Sequence, residues 1–386
     1  MKKGIICVLI CMLMTVSTII PVSATTLSER SSLTRENTLY VGGSGPNNYT
    51  KIQDAVNASS NGDTVYVFDD SAPYYETVVV NKSIRLIGED MNTTIVQNLS
   101  KDKPVFTILA DGTTFTGFFI KQRSTDNSGY PNALDVSSKN NIIQGNKIYA
   151  ANGEGIVVTG GHNTVTFNIV IHAWEGIFVE GTDNNISYNH IEHTANGIYI
   201  YYSNDNMIFK NICIGNDANG IWMGNSKNNI IKYNTLSGNI MYAGLLAWLS
   251  YGNIIIGNTF SNNLNWGLQI RNGGNNTIIQ NNFINNTINA NFQRNAQYEG
   301  VIKIKFLLLK LIHPQEKVIY KMFVNNSWDK NYWDDLTTTP YVIPGRINFL
   351  QRLADHLERI LNKTVVIEII TDNYDYHPAQ EPYDIP

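Results

Sequence analysis

The sequence of 386 residues predicts an all-β fold, a three-strand parallel β-helix of about 10 to 11 coils, on three observations. Apolar and polar residues alternate at spacing two in three short runs per unit, as in half-buried strands. A Gly-Ile-x-Val motif recurs every 21 to 24 residues, starting at Ala133, Gly155, Gly176, Gly197, Gly220, Gly244 and Gly267. Two asparagine ladders keep the same intervals: Asn141, Asn163, Asn184, Asn206, Asn229, Asn253 and Asn276, and Asn146, Asn168, Asn189, Asn211, Asn234, Asn258 and Asn281.

These ladders predict what fills the coils. Neighbouring coils of such a solenoid lie about 4.8 Å apart, so equivalent residues stack directly on one another. Stacked Ile, Val and Leu then form the interior, and inward asparagines pass amide hydrogen bonds from coil to coil. We therefore interpret the asparagine ladders as structural.

The repeated units, with Gly-Ile-x-Val followed by Asn-Asn-x-Ile and Asn-x-Ile, resemble the NosD-like, or CASH-type, parallel β-helix proteins built of PbH1 repeats. The resemblance covers roughly residues 39–335. It implies a right-handed helix, a sense that the periodicity does not show. The segment 325–335 also resembles the last coil of many NosD-like surface proteins.

Residues 1–24 have the pattern of a signal peptide. Lys2 and Lys3 precede an apolar run, and Val22-Ser23-Ala24 provides a small-x-small cleavage site. This predicts an exported protein, extracellular or at the cell surface, with no membrane span after cleavage; the alternative is an uncleaved anchor. Cleavage would leave Cys213 as the only cysteine, which we expect in the core.

Three further regions follow the predicted leader. Residues 25–63 are predicted to form an N-terminal cap with a short amphipathic helix at 49–58, because the open end of a β-helix must be covered. Residues 64–300 form the predicted β-helix domain. Residues 301–386 comprise a predicted C-terminal coil with a strand pair at 301–311, a capping helix at 349–361, and an extended tail.

The phase of the repeat assigns a set of large side chains to one outer face. In the strand after each glycine, the first and third residues point inward and the second and fourth point outward. The outward residues that we select for ligand binding are Phe178, Tyr199, Tyr201, Trp222, Trp248 and Arg271. Such a strip of aromatic rings either stabilises the sheet by stacking or provides a platform for sugar rings.

Acidic residues border the same strip. Glu154 and Glu175 directly precede the motif glycine in consecutive coils, and Glu180 lies a few residues further on. Neighbouring carboxylates raise one pKa, which is one route to a general acid. These three are the candidate catalytic residues, although polar turns of a solenoid produce such pairs by chance. The motifs of polygalacturonases and pectate lyases are missing, which leaves the question of enzyme activity open.

Metal ligands are sparse in the sequence. His172 and His193 occupy equivalent positions in consecutive coils and are the candidate copper ligands, a metal that the family name implies. The acidic run at Asp334 and Asp335 has the ligand type that Ca²⁺ prefers but lacks a spaced set. The sequence therefore requires no cofactor, with copper and calcium as the two options.

These features favour one function and leave two open. A carbohydrate-binding surface protein whose partner is a polysaccharide or a cell-envelope glycan explains the outer aromatic strip best. The alternatives are a polysaccharide hydrolase or lyase, and a NosD-like copper accessory factor or structural envelope protein. The net charge of −4 and the absence of a basic stripe argue against nucleic acid as a partner. The repeat itself indicates no oligomeric state.

Overall fold

A computed structural model describes residues 37–98, 100, 102–122, 131–294, 326–336, 341–343, 345–347, 373–375 and 377–385. These residues form a parallel β-helix with three sheets and a single short α-helix, which confirms the predicted fold class. The predicted signal peptide at 1–24, the strand pair at 301–311 and the capping helix at 349–361 lie outside the described residues.

A complete coil contributes one strand to each of the three sheets. Sheet 1 follows the motif glycines and comprises Val78–Val80, Phe106–Ile108, Leu134–Val136, Ile156–Val158, Glu175–Val179, Asn196–Tyr201, Asn219–Gly224, Ala243–Trp248, Trp266–Arg271, Ile288–Arg294 and Gly345–Ile347. Sheet 2 follows the first asparagine ladder and comprises Thr38–Val41, Thr64–Val67, Arg85–Gly88, Thr114–Thr116, Ile142–Gln144, Thr164–Thr166, Asn185–Ser187, Met207–Phe209, Ile230–Lys232, Ile254–Ile256, Thr277–Ile279, Ser327–Asp329, Tyr374–Asp375 and Tyr341–Val342. Sheet 3 follows the second ladder and comprises Tyr74–Tyr75, Ile95–Asn98, Phe119–Gln122, Lys147–Ala150, Ile169–Ile171, His190–Glu192, Ile212–Ile214, Thr235–Ser237, Thr259–Ser261, Asn282–Ile284 and Tyr332–Trp333.

The interior is a continuous apolar core, as the alternation predicts. The first inward row of sheet 1 is fully buried and consists of Ile177, Ile198, Ile221, Leu245 and Leu268. The inward row of sheet 3 changes from aliphatic to aromatic toward the C-terminal end, where Phe283 stacks on Trp333 at 4.4 Å between ring centroids. Cys213 lies in this row and is fully buried, which confirms it as a core residue.

The helix Ile52–Ala58 packs against the first coils through Ile52, Ala55 and Val56, all buried. Its N-terminus is held by the carboxylate of Glu76, which accepts hydrogen bonds from the backbone N–H groups of Ile52 at 2.9 Å and Gln53 at 3.1 Å. A carboxylate there satisfies free N–H groups and complements the helix dipole. The helix is three residues shorter at its start than the predicted segment 49–58.

The asparagine ladders are hydrogen-bonded chains through the buried turns. Asn211 illustrates the pattern: its Oδ1 accepts from the backbone N and the Nδ2 of Asn189, both at 3.0 Å. Its own N and Nδ2 donate to Oδ1 of Asn234 in the next coil, at 2.8 and 3.0 Å. Its Nδ2 also donates to the carbonyl of Ile186 at 2.8 Å. The structural interpretation of the ladders agrees with this geometry.

The second ladder ends on an aspartate from the C-terminal tail. After Asn281 and Asn331, the buried Asp375 takes the next position, and its Oδ2 accepts from N and Nδ2 of Asn331 at 2.9 and 3.0 Å. The same oxygen accepts from Nε1 of Trp333 at 3.1 Å. A carboxylate accepts without donating, which suits the last member of a chain of donors.

We expect Asp375→Ala to lower the free energy of unfolding by about 2–4 kcal/mol, because it removes a buried carboxylate oxygen that accepts three hydrogen bonds. Asp375→Asn keeps an acceptor oxygen and is the matched control, with an expected loss of about 1 kcal/mol or less. Chemical denaturation of both variants measures the difference. Equal losses in the two variants would contradict this role of the carboxylate.

Candidate functional site

The outer face of sheet 1 carries the predicted ligand-binding residues in two rows. Phe178, Tyr199 and Trp222 are paired in register in three consecutive strands, and Leu246 and Gln269 continue this row. The second row comprises Tyr201, Gly224, Trp248 and Arg271. We call Phe178, Tyr199, Tyr201, Trp222 and Trp248 the aromatic strip.

Four rings of the aromatic strip, those of Phe178, Tyr199, Tyr201 and Trp222, contact one another. Tyr199 and Trp222 stack with centroids 4.4 Å apart and planes 9° apart, and Phe178 meets Tyr199 edge to face at 5.3 Å. All three side chains are half-buried. Because Tyr199 and Trp222 cover each other's faces, this pair contributes to the packing of the sheet. The indole Nε1 of Trp222 is buried without a hydrogen-bond partner.

Arg271 lies at the far end of the strip. Its guanidinium is 5.7 Å from the ring centroid of Trp266, within the range of a cation–π contact. Burial lowers the pKa of Arg271, and its Nε has no hydrogen-bond partner. Burial therefore limits how far this cation is available to a ligand.

Glu175 is the most perturbed carboxyl on this face. Only 5% of its surface is exposed, and burial raises its pKa to about 8, with the nearby charge of Glu154 adding to the effect. Its Oε1 accepts from Nδ2 of Asn196 at 3.1 Å, which opposes the rise. Its Oε2 is buried without a partner. A pKa of about 8 favours the protonated form of Glu175 at neutral pH.

Two further carboxyls lie beside Glu175. Burial raises the pKa of the half-buried Glu154, and the charge of Asp135 adds to it. Burial also raises the pKa of Asp135, although a 2.7 Å hydrogen bond from Nδ2 of Asn132 opposes this. The expected pairing of Glu154 with Glu175 is present, and Asp135, which lies in the same outward row as Phe178, is an additional member.

A cleft of about 680 Å³ opens next to these carboxyls, at the turns that lead from sheet 3 into sheet 1. It brings together three predicted residues, Glu154, His172 and His193. The two imidazoles stack at 5.6 Å between centroids. The cleft also contains Trp174, whose surface is 62% exposed, and Asp217.

The remaining predicted catalytic residue lies apart from the cleft. Glu180 is exposed near Tyr201 in the second row; a side-chain hydrogen bond with Tyr202 is the largest cause that raises the pKa of Tyr201, and the charge of Glu180 adds to it. Glu175 does not line the cleft either, although it directly follows Trp174 in the chain. Of the three candidate acids, only Glu154 faces this open space.

Sequence reasoning did not identify Trp174. It lies one residue before the Glu154–Glu175 row, where the neighbouring coils carry Gly153 and Ala195. The signal was available, because a large aromatic residue at a turn position that is small in adjacent coils predicts an exposed ring.

The comparison with protein families accounts for most of the chain. The model for the family described as "Periplasmic copper-binding protein (NosD)" matches residues 47–213 and 120–338. The chain belongs to the NosD family. No curated protein shows significant sequence similarity to it.

Solved structures similar to this NosD-family chain are β-helices of phage tailspikes and alginate-modifying enzymes. The enzymatically active domain of bacteriophage CBA120 tailspike protein 2 is 15% identical with a TM-score of 0.52, covering 66% of this chain and 46% of that one. The A-module of Azotobacter vinelandii mannuronan C-5 epimerase AlgE6 is 11% identical with a TM-score of 0.51, covering 86% and 90%. The chain thus spans less than half of the tailspike domain. These likenesses show the fold.

The described part of this NosD-family chain offers few metal ligands. Within it, no group of three or more His, Cys, Asp or Glu side chains is placed to hold a metal ion, and His172 and His193 form only a pair. Asp334 and Asp335, the calcium candidates, accept hydrogen bonds from Nδ2 of Asn289 at 2.8 and 2.7 Å. Their contacts stabilise the last coil.

The same described ranges contain no helix that is long and apolar enough to cross a membrane.

Proposed function

We propose that the protein is exported and binds a polysaccharide in the cleft beside sheet 1. The observation that carries the proposal is the exposed ring of Trp174 within a cleft lined by Glu154, Asp217, His172 and His193. A sugar presents C–H groups on its ring faces and hydroxyls at its edges, so it matches an open aromatic face surrounded by hydrogen-bonding side chains.

The aromatic strip supports the same proposal as an extension of the site. A polymer that leaves the cleft passes over Glu175 toward the half-exposed edges of Phe178 and Tyr199. Coils repeat about every 4.8 Å, so the surface offers equivalent contacts along its axis. This regular spacing favours a chain over a single sugar. The phage tailspike domain and the mannuronan C-5 epimerase module share this fold, which agrees with a glycan partner.

Trp174→Ala tests the proposal, with binding measured on a glycan array and then by calorimetry. We expect a loss of at least about tenfold in affinity, because removal of an aromatic platform costs about 1–3 kcal/mol. Stability should change by less than about 0.5 kcal/mol at so exposed a position. The double variant Tyr199→Ala, Trp222→Ala separates the strip from the cleft. Unchanged glycan binding in both variants would contradict the proposal.

A polysaccharide-active enzyme is the second candidate, and the protonated Glu175 beside Glu154 favours it. A protonated carboxylic acid and a neighbouring carboxylate are the groups that glycoside hydrolysis requires. Because Glu175 is buried and does not line the cleft, we rank carbohydrate binding above enzyme activity as the proposed function. Incubation with polysaccharides, followed by measurement of new reducing ends, tests activity. Equal rates for the wild type and Glu175→Gln would remove Glu175 from that mechanism.

The copper binding in the family description finds no matching donor set among the described residues. Copper(II) sites use several imidazole or carboxylate ligands in a fixed geometry, and the stacked pair His172 and His193 supplies two nitrogens. The thiol of Cys213 is fully buried in the core. We therefore assign no copper-dependent step to these residues. Elemental mass spectrometry of the purified protein tests this assignment.

A further inference from the structure

We propose that the turns between sheets 2 and 3 form a second binding surface, separate from the cleft, for an acidic polysaccharide of the polyuronate type. The surface consists of one turn residue per coil in four consecutive coils, with two neighbours from sheet 2. We call it the turn ridge: Phe167, Tyr188, Lys210 and Tyr233, with Phe209 and Lys232.

The rings of the turn ridge contact one another; two of them are exposed, and Phe209 and Tyr233 are half-buried. Phe167 is 58% exposed and Tyr188 41% exposed, and their rings stack at 4.9 Å with planes 15° apart. Tyr188 meets Phe209 edge to face at 5.4 Å, and Phe209 lies 6.0 Å from Tyr233. The aromatic surface thus continues from coil to coil along the solenoid, and a linear polymer can follow it.

Two lysines give this surface its charge. The Nζ of Lys210 lies 5.7 Å from the ring centroid of Tyr188 and 5.6 Å from that of Phe209, and Nζ of Lys232 lies 4.5 Å from that of Tyr233. Neither lysine forms an ion pair with any acid of the described ranges. Glu192 on sheet 3 is engaged by His190 at 3.2 Å. A sugar that carries a carboxylate therefore meets both a ring face and a cation here.

The backbone of the turn ridge argues against a purely structural role for its side chains. Phe167, Tyr188 and Tyr233 have φ values of 54°, 55° and 58°, in the left-handed region that bulky residues rarely adopt. The equivalent turns of the adjoining coils contain Gly145 and Gly257, with φ of 59° and 63°. Glycine thus meets the requirements of this turn, and the aromatic residues are retained at a conformational cost.

The glycine-containing turns supply the test variant. Phe167→Gly, Tyr188→Gly, Tyr233→Gly reproduces in three coils the turn that Gly145 and Gly257 already form. Binding of polygalacturonate is measured by calorimetry at low and physiological ionic strength. We expect the triple variant to raise the Kd at least about tenfold with an unchanged or higher melting temperature. Lys210→Gln, Lys232→Gln should weaken binding and reduce its dependence on salt.

Matched controls decide between the two surfaces and between the two roles of the rings. Wild-type protein should bind methyl-esterified polygalacturonate more weakly than the acidic form, because esterification removes the charge. The triple glycine variant should keep wild-type binding to every glycan that Trp174→Ala no longer binds, because those glycans occupy the cleft. The inference is overturned by a wild-type Kd in the triple glycine variant, by equal binding of the esterified polymer, or by a lower melting temperature with unchanged binding. Its failure leaves the proposed function of the cleft untouched.

Discussion

Asn211→Ala is expected to lower the free energy of unfolding by about 3–5 kcal/mol, one of the largest effects of any single substitution in the solenoid. The side chain is fully buried and takes part in hydrogen bonds with Asn189, Asn234 and Ile186. Truncation leaves the backbone N–H of Asn189 without its acceptor and opens a cavity that alanine does not fill. Each buried donor left unpaired costs about 1–3 kcal/mol.

Chemical denaturation followed by circular dichroism measures this loss. Native-state hydrogen exchange would show which coils are destabilised, because a solenoid is stabilised mainly by contacts between neighbouring coils. We expect the amides of the coils around Asn211 to lose protection before those near Ile52. Asn152→Ala, at an exposed turn, is the matched control, with an expected change of less than about 0.5 kcal/mol. Equal stability of Asn211→Ala and Asn152→Ala would show that the hydrogen bonds of the ladder do not stabilise the fold.

The same ladder explains why the fold could be predicted from the sequence. A buried asparagine must form hydrogen bonds with the equivalent asparagines of the coils before and after it. The spacing of the asparagines in the sequence therefore determines the register of each coil. The inward rows follow the same logic, since Ile177 and Ile198 occupy one interior column. Even the coil after the long interval, with Asn326 and Asn331, follows the pattern, because its asparagines still accept from Asn276 and Asn281.

Two other features of the fold were not predicted from the sequence. A third ladder, in the turn after sheet 3, links Thr194 with Asn216, Asn239, Asn263 and Asn286. It spans only part of the solenoid and was not recognised. Asp375 joins the second ladder from 44 residues beyond Asn331. Sequence spacing cannot reveal this contact, since it depends on where the chain returns.

The candidate site was likewise predicted only in part from the sequence. Phase alone brings Phe178, Tyr199 and Trp222 onto one face, because an outward position in one coil is outward in the next. Phase does not fix how deeply each residue is buried. Glu175 is buried, for example, whereas Glu154, one coil earlier, is half-exposed in the cleft. The depth depends on neighbouring side chains such as Asn196, and it determines which acid can meet a ligand.

The second large expected effect follows from the burial of Glu175: the free energy of unfolding should fall as pH rises. The pKa is 4.5 for an ordinary glutamate and about 8 for Glu175 in the folded protein, so the folded state keeps a proton that the unfolded chain has lost. Its contribution to stability is therefore fully present below about pH 4.5 and declines up to about pH 8. The slope is about 1.4 kcal/mol per pH unit, and the total is on the order of 5 kcal/mol.

Glu175→Gln should abolish this decline, because glutamine still accepts the hydrogen bond from Asn196 and does not ionise. Denaturation curves across this pH range should coincide near pH 4.5 and diverge above it, with the variant the more stable. The difference between the two curves is the observable, because the two proteins differ only at residue 175. Glu180→Gln, on the same face but exposed, should retain the wild-type slope. Parallel curves for the wild type and Glu175→Gln would mean that Glu175 is ionised in the fold, and the argument for a general acid would then lose its basis.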